Sequence, residues 1–391
     1  MLLKRGMTGL MALAFTIAGA PARADEDPGP PAAMDEPGRG SAAFRLGYYD
    51  NGDDGDGNPF LDESLTVIEA VTVFDYALTD LHQLNGTFSY DNVSSASIDR
   101  LSQYPEQSGA TGDFYYGLNL GLAYQWNEDV RVGVNTSVSV EYDYRSFGTG
   151  VFWARDYANK NATVKLDLST YFDSIDVIRY NGIEDGSDNR SSTAAALTWY
   201  QMLTPRSHME LGGVVSYQSG FLETAYNAVV IEDDSLPPNP ALENNARGRE
   251  ITEELPDSRT RFAAHGRYRY ALTDLTALEM GGRLYTDTWG VNGVSLEPAA
   301  YHWLSPERLR MRLRYRFYTQ TAADDYQDSF REETTYRTQD SDLSDFSSHA
   351  LGLRIDWYRE SGFRIDLGGD YVVRSDGLDQ IMASSGVQWE F

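Results

Sequence analysis

The chain has 391 residues, with 59 Asp plus Glu against 32 Lys plus Arg, a formal net charge of −27 and no cysteine. The lack of cysteine excludes a disulfide framework, thiolate-bound zinc, iron–sulfur clusters and c-type haem attachment. The acidity argues against nucleic-acid binding, which needs a basic footprint, and 41% hydrophobic with 13% aromatic residues argues against a wholly disordered chain.

At the start, Lys4 and Arg5 precede a mostly apolar stretch from Met7 to Gly19, and Ala22-Arg23-Ala24 stands before Asp25. This is the pattern of a cleaved secretory signal peptide over residues 1–24. A membrane anchor would need about 20 apolar residues, more than this stretch offers. Residues 25–40 are rich in Pro, Gly, Ala and Asp and read as a disordered periplasmic leader. No long apolar run follows, so an exported chain is either soluble or a β-barrel. Residues 41–391 are expected to form one domain.

That domain alternates with period two. From Val130 the even positions Val132, Val134, Thr136, Val138, Val140, Tyr142 and Tyr144 read as one face, with Arg131, Gly133, Asn135, Ser137, Ser139, Glu141 and Asp143 on the other. A single strand of that length is about 50 Å long, too long for an ordinary sandwich. Leu118 to Trp126, Val164 to Leu168 and Phe363 to Leu367 repeat the theme. The polar faces are small or charged, and aromatics gather near strand ends, which favours a lipid-facing apolar surface over a buried one.

Alternation places strands at 42–50, 63–77, 82–93, 113–126, 129–144, 148–157, 160–173, 191–203, 207–220, 257–270, 274–287, 293–303, 307–321, 345–358, 362–374 and 379–391. The expected fold is an all-β, transmembrane, antiparallel up-and-down β-barrel of about 16 strands, with 14 to 18 in range. Short connections such as Asn127-Glu128 and Ala158-Asn159 alternate with a mostly longer set at 51–62, 94–112, 174–190, 221–256 and 322–344. Short periplasmic turns and long outer loops are the bacterial barrel pattern, and an even strand count leaves both termini in the periplasm. The last strand carries Gly386, Trp389 and a terminal Phe391, which reads as the signal used by barrel-assembly machinery.

Gly282 to Val291 (GRLYTDTWGV), Arg314 to Gln320 (RYRFYTQ) with Ala322-Ala323, Pro256 to Arg261 (PDSRTR) and Arg374 to Asp379 (RSDGLD) are similar to blocks of an uncharacterised family of bacterial outer-membrane β-barrels, a domain of unknown function. Tyr90-Asp91 before Ser94 to Ser97, and Glu141 to Tyr144, fit more weakly. The resemblance covers roughly residues 41–391. It implies the barrel fold and no assigned catalytic or binding residue. It also implies a genomic setting beside thioredoxin-like and flavin-transferase genes, hence a redox partner in the periplasm. The acidic loop after Asp50 is longer than the family leads one to expect.

Arginines form the sharpest constellation. Arg308, Arg310, Arg312, Arg314 and Arg316 take every second position of one strand, so their guanidiniums share a face at about 6.6 Å spacing. Facing lipid, each would cost roughly 2–4 kcal/mol at mid-bilayer, so they face the lumen. Arg259, Arg261, Arg267 and Arg269, with His265 among them, form a second set, and Glu279, Arg283, Tyr285, Asp287, Glu297, Arg354, Asp356, Arg364, Asp366 and Asp370 stand on neighbouring strands. Two readings stand: a positive wall that selects anions, or an ion-pair network that stiffens the barrel.

Asp53, Asp54 and Asp56 lie in an acidic loop offering hard oxygen ligands to Ca²⁺ or Mg²⁺, but Pro59 and Leu65 occupy the positions where an EF-hand loop needs Gly and Glu; a solvated, self-repelling loop is the plainer reading. The run from Asp324 to Asp345 holds eight acids. The loop 221–256, with Asp233-Asp234-Ser235-Leu236-Pro237-Pro238, is long enough either to fold into the pore or to stay at the surface. His82, His208, His265, His302 and His349 lack metal-ligand spacing, and no G-x-S-x-G or P-loop occurs. Expected, then, is a non-enzymatic porin-like channel in the bacterial outer membrane with an arginine-lined lumen and no cofactor, in contact with outer-membrane lipid. The alternatives are a non-conducting barrel that holds a periplasmic or surface partner, and, more distantly, an outer-membrane hydrolase.

Overall fold

The computed structural model describes residues 36–52, 65–95, 113–237, 247–359 and 362–391. It contains β1 (Gly40–Gly52), β2 (Leu65–Thr79), β3 (His82–Ser95), β4 (Asp113–Gln125), β5 (Val130–Val140), β6 (Tyr144–Tyr157), β7 (Ala162–Ile178), β8 (Glu184–Thr204) and β9 (Ser207–Gly220). A small hairpin follows, β10 (Ala228–Glu232) and β11 (Gly248–Thr252). Then come β12 (Ser258–Ala271), β13 (Thr276–Asp287), β14 (Asn292–Ser305), β15 (Leu309–Gln320), β16 (Phe346–Arg359), β17 (Phe363–Arg374) and β18 (Asp379–Glu390). All strands except β10 and β11 join one closed antiparallel barrel of sixteen, sealed where β18 pairs with β1. Closure leaves no sheet edge unpaired, the condition for a sheet to exist in lipid.

β16 shows how the sequence is used. His349, Leu351, Leu353, Ile355 and Trp357 point outward and are exposed, while Ser348, Ala350, Gly352, Arg354 and Asp356 point inward and are buried. Leu351 is 57% exposed and Asp356 1%. Water outside would punish that inversion through apolar contact, and lipid rewards it. Aromatic residues mark both rims of the apolar band: Trp126, Tyr157, Trp357 and Trp389 at the short-turn end, and Tyr48, Tyr116, Phe172 and Tyr217 at the long-loop end. Such girdles sit at membrane–water interfaces.

All sixteen barrel strands lie where alternation placed them, with three local differences. The face that begins at Val130 does not continue to Tyr144. β5 stops at Val140, residues 141–143 turn, and Tyr144 opens β6 pointing inward, its hydroxyl accepting from Arg190 Nη2 at 3.1 Å. A three-residue turn offers no gap in the sequence pattern, so the reversal is invisible in it. The connection placed at 174–190 is mostly strand, because β7 and β8 extend as a ribbon to a turn at 179–183. Only the β8 side of that ribbon, Glu184 to Arg190, is polar or Gly throughout; on β7 the alternation of Ile175 and Val177 with Ser174 and Asp176 is too short to stand out beside it. Finally, 221–256 contains the β10–β11 hairpin, built on the apolar run Ala228-Val229-Val230-Ile231.

Residues 1–35, hence the signal peptide and most of the leader, and the candidate ligands Asp53, Asp54 and Asp56 lie outside the described residues. The end of the leader is tied down: Gly38 N donates to Ala77 O and Gly40 N to Phe391 O.

Candidate functional site

The interior divides by strand. The inward positions of β3 to β5 are small or neutral for most of their length, among them Asn85, Ser89, Asn119, Asn135 and Ser137. The wall from β12 to β17 is a lattice of guanidiniums and carboxylates. Four ladder arginines, Arg310, Arg312, Arg314 and Arg316, lie on β15 facing inward; Arg308 precedes the strand, exposed in the turn after β14.

Asp356 is the hub. It accepts from Arg310 Nε at 3.2 Å, Arg354 Nε at 3.2 Å, and Arg364 Nε and Nη2 at 3.2 and 2.9 Å. Arg354 also reaches Asp366 at 3.0 Å. Glu279 holds Arg269 at 2.7 Å and Arg267 at 3.8 Å, under the hydroxyl of Tyr301. Asp287 takes Arg259, the Tyr285 hydroxyl at 2.6 Å, and the backbone N–H groups of Trp289 and Val291. The Arg259 guanidinium also lies 4.2 Å over the Trp289 ring.

Two glycines let bridges cross a strand. Arg314 on β15 reaches Asp370 on β17 at 2.7 Å over Gly352 of β16, where a Cβ would collide with Asp370 Oδ1. Arg45 on β1 reaches Asp366 on β17 at 4.0 Å over Gly386 of β18, where a Cβ would collide with the carboxylate. Gly386 thus serves the seam that closes the barrel. Phe391, at the same seam, stacks on Tyr76 with ring centroids 6.4 Å apart, and Trp389 faces outward in the aromatic rim.

Two long loops, described over 221–237 with 247–257 and over 321–345, interlock at one end. Val229, Ile231 and Phe330 form a small apolar core against Ile251. Glu254 and Arg337 exchange backbone hydrogen bonds at 3.2 and 2.7 Å. Beneath them Glu253, 1% exposed, accepts from the Thr338 hydroxyl at 2.6 Å, Asn227 Nδ2 at 3.0 Å and Thr224 N at 2.7 Å. Burial, and then the neighbouring Asp340 charge, push its carboxyl up to about 7. Asp342 is pushed up by burial to about 6, although Arg374 at 2.7 Å opposes the shift. Arg179, in the β7–β8 turn, ties Glu223 to the same cap at 2.9 Å. The cap hairpin makes no extended contact along any barrel strand. Residue spacing gave no sign of this cap; its one local signal was the apolar run at Ala228. Among the described residues, no group of three or more His, Asp or Glu is placed to hold a metal ion.

A closed sixteen-strand sheet, apolar outside and ionic inside, defines a transmembrane β-barrel of the outer-membrane class. The chain belongs to a family of proteins of unknown function, DUF3570, whose model matches residues 102–381. No curated relative matches the sequence. Among solved structures it resembles the ferric enterobactin receptor PfeA of Pseudomonas aeruginosa (13% identity, 85% of this chain and 53% of that one, TM-score 0.45). It also resembles a bacterial polysaccharide outer-membrane secretin (9% identity, 90% and 98%, 0.49) and the monoaromatic hydrocarbon channel CymD (7% identity, 92% and 89%, 0.41). The chain spans about half the length of the enterobactin receptor. These likenesses concern architecture alone.

Proposed function

We propose that this barrel is a passive, water-filled channel of the outer membrane whose arginine-bearing wall sorts small solutes by charge. The observation that carries the reading is wet charge in the lumen: the side chains of Arg267, Glu297 and Asp370 remain 31%, 28% and 22% exposed although they face inward. A sixteen-strand barrel has room for such a passage. The wall is not a bare positive surface, since most of its arginines are paired, so selectivity falls to those that are not.

In this reading the signal peptide at 1–24 exports the chain, the assembly machinery engages Gly386, Trp389 and Phe391, and the interlocked cap faces the exterior. The protein carries out no reaction. The test is planar-bilayer conductance of the mature barrel, verified as folded by heat-modifiable gel mobility, with reversal potentials in a salt gradient. Steady ohmic conductance with anion preference is expected. A folded barrel that does not conduct would overturn the channel reading and select the second one, a barrel that holds a partner, which the interlocking of the loops into a fixed cap favours. Capture of periplasmic redox proteins on the immobilised barrel would then identify it.

A further inference from the structure

Arg259, Arg269, Arg310, Arg314 and Arg364 each meet a carboxylate. Arg261, Arg283 and Arg316 do not, and the reason lies in what stands opposite each and how it is already used. Arg261 faces Asp287 across β12 and β13, but that carboxylate is already filled by Arg259, Tyr285 and two backbone N–H groups. Arg283 faces His265 on one side and Ser295 on the other. Arg316 faces Ala350, while the acid whose charge acts most on it, Glu297, lies 3.7 Å from Arg314.

Nε and Nη1 of Arg261 and Nε of Arg283 are buried without a hydrogen-bond partner among the described residues. Arg283 feels the like charge of Arg316, and Arg261 that of Arg259 and Arg190. Tyr285 and Tyr318 stand among the three, the Arg316 guanidinium lying 5.2 Å from the Tyr318 ring centroid. A guanidinium cannot discharge itself by losing a proton. Three such groups on β12, β13 and β15, with the acids in reach already committed, therefore leave positive charge that no carboxylate of the wall cancels.

We propose that Arg261, Arg283 and Arg316 form an oxyanion-binding strip in the lumen, taking a small solute that bears a phosphate or carboxylate group. The planar fork of arginine matches both groups through paired N–H bonds, which chloride cannot reproduce. The inference rests on the water-filled lumen proposed above, since the solute must reach the strip.

The test is isothermal titration of inorganic phosphate, and separately of malonate, into the folded mature barrel in a chloride buffer of fixed ionic strength. One saturable site is expected for at least one of the two, and which one binds tells a phosphate from a carboxylate solute. Arg261→Gln and Arg283→Gln should weaken it by about 10- to 100-fold, the worth of a charge-assisted hydrogen bond. Arg283→Lys, which keeps the charge and loses the fork, should weaken it less. Arg206→Gln, in an exposed short turn, should leave it unchanged. If only Arg261→Gln fails the gel-mobility check, the Arg283 pair decides. Heat that never saturates, or binding equal in wild type, Arg283→Gln and Arg283→Lys, overturns the proposal. Saturable binding without conductance upholds the strip and removes the channel; conductance without binding does the reverse.

Discussion

Asp356→Asn tests whether the lumenal lattice holds the barrel together. The side chain of Asp356 is 1% exposed and accepts from three guanidiniums. Asparagine keeps the shape and one acceptor oxygen but removes the charge. Arg354 retains Asp366 at 3.0 Å, so the loss falls mainly on Arg310 and Arg364, whose side chains are 15% and 13% exposed. Removing one partner of a buried ion pair costs about 3–5 kcal/mol. Lumenal water solvates these two arginines in part, which places the expected loss near the lower end, about 3 kcal/mol. The comparison is Asp274→Asn, which removes the exposed pair Arg206–Asp274, 3.9 Å apart; such surface pairs contribute little, and no measurable change is expected. The assay is denaturant unfolding of the barrel in lipid vesicles, followed by tryptophan fluorescence. If Asp356→Asn and Asp274→Asn unfold at the same midpoint as wild type, the lattice is not what stabilises this wall.

Two further outcomes follow from the geometry. Glu253 in the cap titrates near 7 rather than its ordinary 4.5 because it is buried beside Asp340, so the folded cap binds a proton that the unfolded cap releases. Its contribution to cap stability is complete below about pH 4.5 and is lost as pH rises to about 7. Amide protection over 221–237 and 247–257, corrected for the intrinsic exchange rate at each pH, should fall across that window in wild type and fall less in Glu253→Gln; equal pH dependence of protection in the two would refute the assignment. On the outside, Leu353→Arg at mid-strand should cost about 2–4 kcal/mol, against about 0–1 for Trp357→Arg at the rim. Folding yields in vesicles that do not differ between the two would mean that the apolar face does not meet lipid.

How far the sequence could be read depends on which solvent each residue meets. Within the membrane one face touches lipid and the other water or ions, so Leu351, Leu353 and Ile355 against Ala350, Gly352 and Arg354 write the strand into the sequence. Beyond the apolar band no face meets lipid, and the signal fades: the β7–β8 ribbon past residue 173 has a wholly polar β8 side, and β10 buries the consecutive residues Ala228 to Ile231 instead of alternating, so both read as loops. The turn at 141–143 was hidden for the opposite reason, because its aromatic Tyr142 continued the pattern.

Arg308 falls in the turn before the strand, whereas the inward direction of Arg310, Arg312, Arg314 and Arg316 followed from charge and periodicity alone, since lipid would not tolerate them. Their partners did not. Register sets Arg261 opposite Asp287, yet the folded wall gives that carboxylate to Arg259 on the diagonal, and Gly352 leaves Arg314 a path to Asp370. Likewise Glu253 and Thr338, 85 residues apart, meet only because β9 to β16 curve round one rim and bring their loops together. The sequence by itself determined the strands, the barrel and which side chains line it, because those depend on periodicity against two solvents. Tertiary structure alone decided which charges are cancelled and which are left over, because that depends on neighbours that only a closed sheet brings side by side.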